Sequence, residues 1–408
     1  ARWAAPLAAA AAVTAVALSL ALIKDAPNGS AAPAGPATPT NPAAPAGPGG
    51  VPRYFVAISR SGEIVAGDAV TGKTLATFPH PKNTKFGTVT AAADDQTFVV
   101  SALTSSNGSS RPGTGLVQNE SWYKVQLAPG TADPARVTLL PIAPQPGGPV
   151  TALSASGQEL AVAENTSWTE IAVKVFSVAT GQPLHDWTFT DPDIPPQPKI
   201  EDLNGPGYPL SPPDLTWIDG DKTLALDVSN TSSLQGLGPA QTNTVRELNI
   251  AGPASGDLLT DSKVVLQVST KGYSANPLRS CDGPAAAGHE ISADGNTVSC
   301  TVSSQSDGWT ESFLTSPLTA GNTAAQTRVD YQVTHAEAQG VSTPSMVLWT
   351  SPTGDAIIGS WNTSAKGTPS GSANEQLHIG VMKDGTFTPL RFPQSVPLDD
   401  GNPSRVAF

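Results

Sequence analysis

The acidic and imidazole side chains are the first candidates for chemistry in this sequence. His289 is followed directly by Glu290 on a predicted strand, and such an adjacent pair could serve as acid and base. The other four histidines are spread over outer strands and connections: His80, His185, His335 and His378. Hydrolysis requires a nucleophile, a base and an orienting group that converge, and the sequence has no Gly-x-Ser-x-Gly motif. We therefore expect His289 to be a packing residue, and we assign no catalytic residue.

Carboxylates that could bind a divalent cation are few. Asp214, Asp219 and Glu290 fall on or beside equivalent predicted strands. Asp219 belongs to a series of turn residues: Asp94, Asp294 and Thr353. Asp214 and Glu290 then remain, whereas Ca²⁺ takes roughly six to eight oxygen ligands. A further acidic group reads as a solvated loop: Asp191, Asp193, Glu201 and Asp202. We predict no metal and no cofactor.

Cys281 and Cys300 are the two cysteines of the chain. Their number excludes a cysteine-rich zinc or iron–sulfur site, and their spacing is not Cys-x-x-Cys. Outside the cytoplasm such a pair suggests a disulfide that clamps the 269–287 loop. Closing a loop of this kind contributes about 3 kcal/mol in a chain-entropy model.

Composition excludes several classes of protein. The chain has 408 residues with 38 Gly and 39 Pro, which is incompatible with a mostly helical fold. Charged residues make up 14%, against roughly 25% in an ordinary soluble domain. The net charge of −12 argues against nucleic-acid binding, because a nucleic-acid binder presents a basic face.

The N-terminal segment has the features of a membrane anchor. Residues 3–23 carry no charge and are bounded by Arg2 and by Lys24 and Asp25. As a helix they would be about 30 Å long, the thickness of a bilayer core. We favour a single-pass transmembrane helix within 1–24, with the C-terminal part outside. A signal peptide cleaved near Ser30 and followed by secretion is the alternative.

The following segment, 25–50, is an Ala/Pro-rich linker. Proline recurs at every third position from Pro33 to Pro48, which matches the three residues per turn of polyproline II. From residue 51 the texture changes to short Val-, Thr- and Leu-rich runs with turn residues between them, which predicts an all-β domain over 51–408. We interpret the linker as a disordered spacer that lifts this domain away from the membrane.

Two internal repeats predict the architecture. Five segments align without gaps, each a short strand, a turn and a more apolar strand: 90–102, 151–163, 215–227, 289–301 and 348–360. Strand–turn–strand copies lie between them, for example 62–78, 171–189 and 377–392. Four strands per unit of about 60 residues are typical of a β-propeller blade.

The chain ends fix the number of blades. Residues 53–79 supply only the second to fourth strands of a unit, and Arg405–Phe408 supply the missing first strand. Pairing of the C-terminal strand into the N-terminal blade closes the ring and leaves no unpaired inner edge. The predicted fold is an all-β, six-bladed propeller with these blades: 53–79 plus 403–408, 86–142, 149–190, 213–268, 287–333 and 344–392. Two separate β-sandwiches are the alternative.

The turn sequences carry a family resemblance. DAVTGKTLATF (68–78) and SVATGQPLHDW (177–187), with ASGQ, SADG and SPTGD, are similar to blades of WD-repeat, quinoprotein-like and TolB-like propellers. The Trp-Asp ending of WD repeats is absent. The whole layout resembles membrane-anchored, extracytoplasmic propeller proteins of high-GC actinobacteria. This resemblance implies a fold and a location, and no chemistry.

Insertions indicate which face binds. Turns between first and second and between third and fourth strands share one face, here called the short-turn face. Loops between second and third strands, and connections between blades, share the other face, here called the long-loop face. The long insertions are predicted on this second face: 104–120, 191–212, 230–242, 269–287 and 362–373. Binding function concentrates where insertions collect, although tolerated sequence drift is the alternative.

Aromatic residues supply candidate contacts on the long-loop face. Trp122, Trp168 and Trp309 open predicted third strands at corresponding points, where they either contact a ligand or pack between blades. Tyr208 and Tyr273 lie in long connections and complete the set of candidate binding residues. Two further tryptophans on innermost strands are expected to line or plug the channel: Trp217 and Trp349.

These observations favour a non-catalytic binding or sensing module held at the cell membrane through residues 3–23. The partner would be a protein or a cell-envelope glycan on the long-loop face. A propeller hydrolase or lactonase is one alternative. The other is a transmembrane signalling protein with a cytoplasmic part before Ala1.

Overall fold

The structure is a computed structural model that describes most of the chain after residue 50. The described residues are 51–105, 118–146, 148–167, 170–190, 212–229, 242–269, 286–304, 309–318, 328–335, 346–351, 355–362, 376–384, 386–393, 396 and 405–408. The predicted transmembrane helix and linker lie outside them. No helix among the described residues has the length and apolar character needed to cross a bilayer.

The first three blades are antiparallel sheets built from consecutive strands. Blade 1 contains β1 (Tyr54–Ile58), β2 (Ile64–Asp68) and β3 (Lys73–Phe78). Blade 2 contains β4 (Thr84–Ala91), β5 (Thr97–Ser105), β6 (Gln118–Leu127) and β7 (Ala135–Leu139), and β8 (Gln145–Pro146) also pairs with β6. Blade 3 contains β9 (Val150–Leu153), β10 (Glu159–Asn165), β11 (Glu170–Ser177) and β12 (Pro183–Thr190).

The last three blades follow the same order. Blade 4 contains β13 (Asp214–Ile218), β14 (Thr223–Ser229), β15 (Thr242–Asn249) and β17 (Ser262–Ser269), with β16 (Ser255–Asp257) and the helical turn α1 (Leu258–Asp261) inserted before β17. Blade 5 contains β18 (Ala286–Ile291), β19 (Thr297–Ser304), β20 (Trp309–Pro317) and β21 (Arg328–His335). Blade 6 contains β22 (Met346–Thr350), β23 (Ala356–Asn362), β24 (Gln376–Lys383) and β25 (Thr386–Pro389), and β26 (Val406–Ala407) ends the chain.

The C-terminal strand closes the ring, as the sequence predicts. β26 is antiparallel to β1, with Ala407 opposite Val56 and Val406 opposite Ala57, so it is the first strand of blade 1. Phe408 is buried, and its ring centroid lies 6.4 Å from that of Phe55. The described part of the chain is thus an all-β, six-bladed propeller.

Each blade is packed between two others, and this explains the apolar runs of the inner strands. Along β10, Leu160 and Val162 contact the cluster shared with blade 2, whereas Ala161 and Ala163 contact the cluster shared with blade 4. Alternate side chains of one strand point to opposite faces of the sheet. Both faces are covered here, so both sets of side chains are apolar. Outer strands such as β3 are half-exposed and more polar.

Hydrogen bonds between neighbouring turns join the blades on the short-turn face. We call this set of contacts the turn ring. Ala93 donates its N–H to the Ala155 carbonyl at 3.0 Å, and Asp219 donates to the Ala293 carbonyl at 2.9 Å. The Ser156 N–H donates to Oδ2 of Asp221 at 2.9 Å. These bonds connect blades 2 to 3, 3 to 4 and 4 to 5, so the turns of four successive blades are linked on this face.

One feature of the sequence prediction needs correction. The short-turn face carries an insertion as well as short turns, because residues 250–261 of blade 4 reach the outer edge of blade 3. There β16 pairs in parallel with β12.

Asp95 joins blade 2 to blade 1. In blade 1 the first strand, β26, and the second strand, β1, come from opposite ends of the sequence, so no turn connects them. The Asp95 Oδ2 accepts the Arg53 N–H at 2.8 Å, and its Oδ1 accepts the Tyr54 N–H at 3.0 Å. Burial raises the pKa of this carboxyl to about 6, although the two N–H donors oppose the rise. Asp95 has a positive φ of 58°, a conformation that Asp and Asn tolerate better than most residues.

Asp95→Ala is expected to lower the free energy of unfolding by about 3 kcal/mol. The change leaves two backbone donors without an acceptor and places alanine in the left-handed region. Asp95→Asn should cost less, because one amide oxygen still accepts. Asp219→Asn is the matched control, since Asp219 also has a positive φ but is largely exposed in the turn. Urea denaturation measures all three variants. Equal stability of the Asp95→Ala and Asp219→Asn proteins would contradict this role.

Candidate functional site

The central channel is the site where the structure brings ionisable groups from different blades together. The free edges of the six innermost strands face the axis. Several threonines on these strands are partly exposed: Thr88, Thr151 and Thr216. Among them lie Asp214, exposed at the start of β13, and Glu290, partly exposed near the end of β18. Asp214 of blade 4 and Glu290 of blade 5 thus lie on neighbouring innermost strands, close enough for the charge of Asp214 to act on Glu290.

Glu290 has the electrostatic properties of a proton-exchanging group. Burial of its carboxyl raises its pKa to about 7. The negative charge of Asp214 contributes in the same direction. A group with a pKa near neutrality in a concave site can accept and release a proton under ordinary conditions.

The acidic character of this region extends into blade 4. Asp227 is directly opposite Asp214 in the β13–β14 register. Across the parts of blades 1 to 6 that the structure describes, no three His, Cys, Asp or Glu side chains form a group that could hold a metal ion.

The candidate aromatic residues have different outcomes. Trp122 is completely buried between blades 2 and 3, so it packs between blades and is not available on the loop surface. Trp309 begins β20, where its backbone pairs with His335. Trp168, Tyr208 and Tyr273 lie outside the described residues, as does most of each predicted long insertion. Their binding role stays a prediction.

The two tryptophans expected at the channel need correction. Trp217 is buried in the core between blades 3 and 4, where its indole N–H donates to the Ala152 carbonyl at 3.0 Å. Trp349 packs, partly buried, against the core between blades 6 and 1. The side chains of an innermost strand point alternately to the preceding and the following blade, and Trp217 points to the preceding blade 3 whereas Trp349 points to the following blade 1.

The remaining candidates are partly placed. Asp219 lies in the short turn of blade 4, as its sequence series predicts, and its Oδ1 is 3.9 Å from Nζ of Lys222. His289 is on innermost strand β18. Cys300 is buried on β19, and Cys281 lies outside the described residues, so the disulfide stays a prediction. His185 stacks on Trp187 with ring centroids 5.0 Å apart.

The fold has TolB-like structural neighbours. TolB from Acinetobacter baumannii matches with a TM-score of 0.41 and 12% identity, over 83% of this chain and 63% of that chain. A protein assigned as TolB from Agrobacterium tumefaciens has a TM-score of 0.37 and 10% identity, over 87% and 95% of the two chains. A protein assigned as a 6-phosphogluconolactonase from Bacteroides fragilis has a TM-score of 0.36 and 12% identity, over 82% and 80%.

Sequence comparison adds no assignment to these structural matches. No protein-family model matches the chain. No curated protein matches it either. The chain spans a little under two thirds of the Acinetobacter TolB structure. At these identities the likeness concerns the propeller fold.

Two important groups were missed as site residues in the sequence. Asp95 could not be recognised because its Asp-Asp turn resembles the other turns in sequence. Its distinguishing feature is the hydrogen bond to the Arg53 N–H of blade 1. Glu120 lies two residues before Trp122 and is fully buried, although the sequence around it, NESW, reads as a polar loop end. Glu120 and Trp122 are two residues apart, and residues at this spacing on a strand share a face. This spacing is the signal that would have placed both side chains on the same buried face.

Proposed function

We propose that the chain is a non-catalytic binding or sensing module, with its partner on the long-loop face. The observation that carries this proposal is the difference between the two faces. The turn ring links blades 2 to 5 on the short-turn face. Most of the long insertions are predicted on the opposite, long-loop face. A rigid scaffold that presents variable loops is the usual arrangement of a binding protein.

The proposed location is the outer side of a cell membrane. The apolar segment 3–23 and the Pro-rich spacer of the sequence support an anchored domain held away from the bilayer. The partner classes that fit such a location are an envelope protein and an envelope glycan. The short-turn face has one described insertion, residues 250–261 of blade 4, and its other turns leave little area for either partner, so we assign the partner to the long-loop face.

A propeller hydrolase is the second candidate function, and the channel carboxylates favour it. Glu290 has a pKa of about 7 and lies near Asp214, which is an arrangement suited to proton transfer. Turnover of lactones or esters by the purified protein, lost in Glu290→Gln, would replace the binding proposal with this one.

Shortening the long loops tests the binding proposal. We expect replacement of 106–117, or of 191–211, by a short Gly-Ser linker to reduce binding to isolated envelope glycan or envelope protein at least tenfold. The melting temperature should change by only a few degrees, because long loops add little to stability. Gln158→Glu and Lys222→Glu on the short-turn face are the controls, since both positions are exposed. Binding lost in the controls and retained in the loop variants would contradict the proposal.

A further inference from the structure

The seam between blades 2 and 3 contains a buried carboxyl group beside its apolar core. Glu120 is 2% exposed and lies at the start of β6, directly opposite Leu103 of β5. On its outer side it pairs with Gln145 of β8. Trp122, two residues further along β6, packs against blade 3. Residues two apart on a strand share a face, so Glu120 faces the same seam.

A chain of hydrogen bonds connects Glu120 to the innermost strand. The Ser101 hydroxyl, itself 1% exposed, donates to the Glu120 carboxylate. Ser101 Oγ in turn accepts both the N–H and the hydroxyl of Thr88, at 2.9 Å and 3.0 Å. These bonds form where β4 bulges between Phe86 and Val89. A Cβ on Gly87 would lie 2.7 Å from Ser101 Oγ, so glycine makes the approach possible.

The opposite wall of the seam is also polar. Glu164 of β10 has a side chain 4% exposed, and its Oε1 accepts from Nζ of Lys174 at 2.5 Å. Oε2 of Glu164 and Nε1 of Trp122 are buried and have no hydrogen-bond partner among the described residues. This seam therefore holds two buried carboxyl groups, an unpaired carboxylate oxygen and an unpaired indole N–H, each of which carries a desolvation cost.

Several other ionisable groups border this seam, as the strand registers show. Those of blade 2 are Lys85, Lys124 and Arg136. Those of blade 3 are Glu164, Glu170, Lys174 and Asp186. Lys174 is already bound to Glu164. Burial raises the pKa of Glu120 to about 7, and the Ser101 hydroxyl opposes this rise only in part.

We propose that Glu120 is a proton-controlled switch for the seam between blades 2 and 3. The neutral carboxyl is accommodated between the blades, whereas the ionised form places a desolvated negative charge there that, among the described residues, only the Ser101 hydroxyl stabilises. Deprotonation therefore favours opening of this seam. This inference does not depend on the proposed binding function.

The direction of the pH effect follows from proton linkage. Glu120 binds its proton more tightly in the closed seam than in an open or unfolded chain, where the pKa is about 4.5. Its contribution to stability is fully present below about pH 4.5 and is lost as the pH rises through about 7. Between pH 6 and pH 8 this linkage changes the closing equilibrium roughly tenfold.

Amide hydrogen exchange, corrected for the intrinsic effect of pH on exchange rates, tests the switch. In the full chain we expect protection of β6 and β10 to fall roughly tenfold between pH 6 and pH 8. Glu120→Gln, which imitates the neutral form, should abolish this fall. Glu247→Gln is the matched control, because Glu247 is a partly exposed glutamate on β15 of blade 4.

If the Glu120→Gln protein does not fold, Ser101→Ala provides a second test of the switch. Removal of the hydroxyl that stabilises the anion should move the loss of protection to higher pH. The proposal is overturned if Glu120→Gln retains the wild-type fall, if Ser101→Ala has the wild-type profile, or if the fall is equal in all six blades.

Discussion

Deletion of Arg405–Phe408 is expected to unfold the propeller at ordinary temperature or to cause aggregation. The deletion removes β26, exposes the inner edge of β1 and opens the core shared by blades 6 and 1. Val406, Ala407 and Phe408 are all buried, and loss of a buried Phe side chain alone costs about 3–5 kcal/mol. The total is comparable with the whole stability of a typical domain. Thermal denaturation with light scattering measures the effect.

Phe408→Leu is the graded control for this deletion. The substitution retains an apolar side chain at the closure and should cost about 1–1.5 kcal/mol. An unchanged melting curve of the deletion variant would remove β26 from the architecture. If Phe408→Leu lowers the stability as much as the deletion does, the phenyl ring rather than strand closure accounts for the effect.

Trp217→Ala is the second change with a large expected effect, about 3–5 kcal/mol lost from the free energy of unfolding. Trp217 is 6% exposed and fills the core between blades 3 and 4. Trp217→Phe should cost about 1–3 kcal/mol, because it removes the hydrogen bond to the Ala152 carbonyl. Urea denaturation measures both variants.

Trp122→Phe is the matched comparison for Trp217→Phe. Trp122 is equally enclosed, but its Nε1 has no acceptor among the described residues. Its replacement by Phe should therefore cost less than the corresponding change at Trp217. Equal costs would mean that the Trp122 N–H does have a partner in solution, and a stable Trp217→Ala protein would return Trp217 to the channel.

The ring and its closure could be predicted because they depend on local patterns. Strand, turn and strand recur at near-regular spacing, and a blade lacking its first strand requires that strand from the other chain end. The position of Trp217 could not be predicted in the same way. Alternation along a strand separates two faces, but it does not show whether a side chain meets the next blade or the axis.

The remaining misses depend on contacts between blades. The pairing of β16 with β12 joins segments about 70 residues apart in parallel, and a short Ser-Gly-Asp run carries no local strand signal. Asp95 acquires its role from the backbone donors of blade 1, and Glu120 acquires its role from burial between blades and from the Ser101 hydroxyl. The channel carboxylates Asp214 and Glu290 were identified from sequence, because innermost strands could be recognised. The raised pKa of Glu290 required the folded surroundings.

Site-specific photo-crosslinking in intact cells tests the central claim, binding through the long-loop face, most directly. Ser167 and Gln158 are both exposed and lie at opposite ends of β10, on the long-loop and short-turn faces. Asn119 of blade 2 and Lys222 of blade 4 are also exposed, and they lie on the long-loop face and the short-turn face, respectively. A crosslinker at Ser167 and at Asn119 should capture the same discrete partner, while Gln158 and Lys222 should capture none. Capture from Gln158 and Lys222 alone would contradict the account.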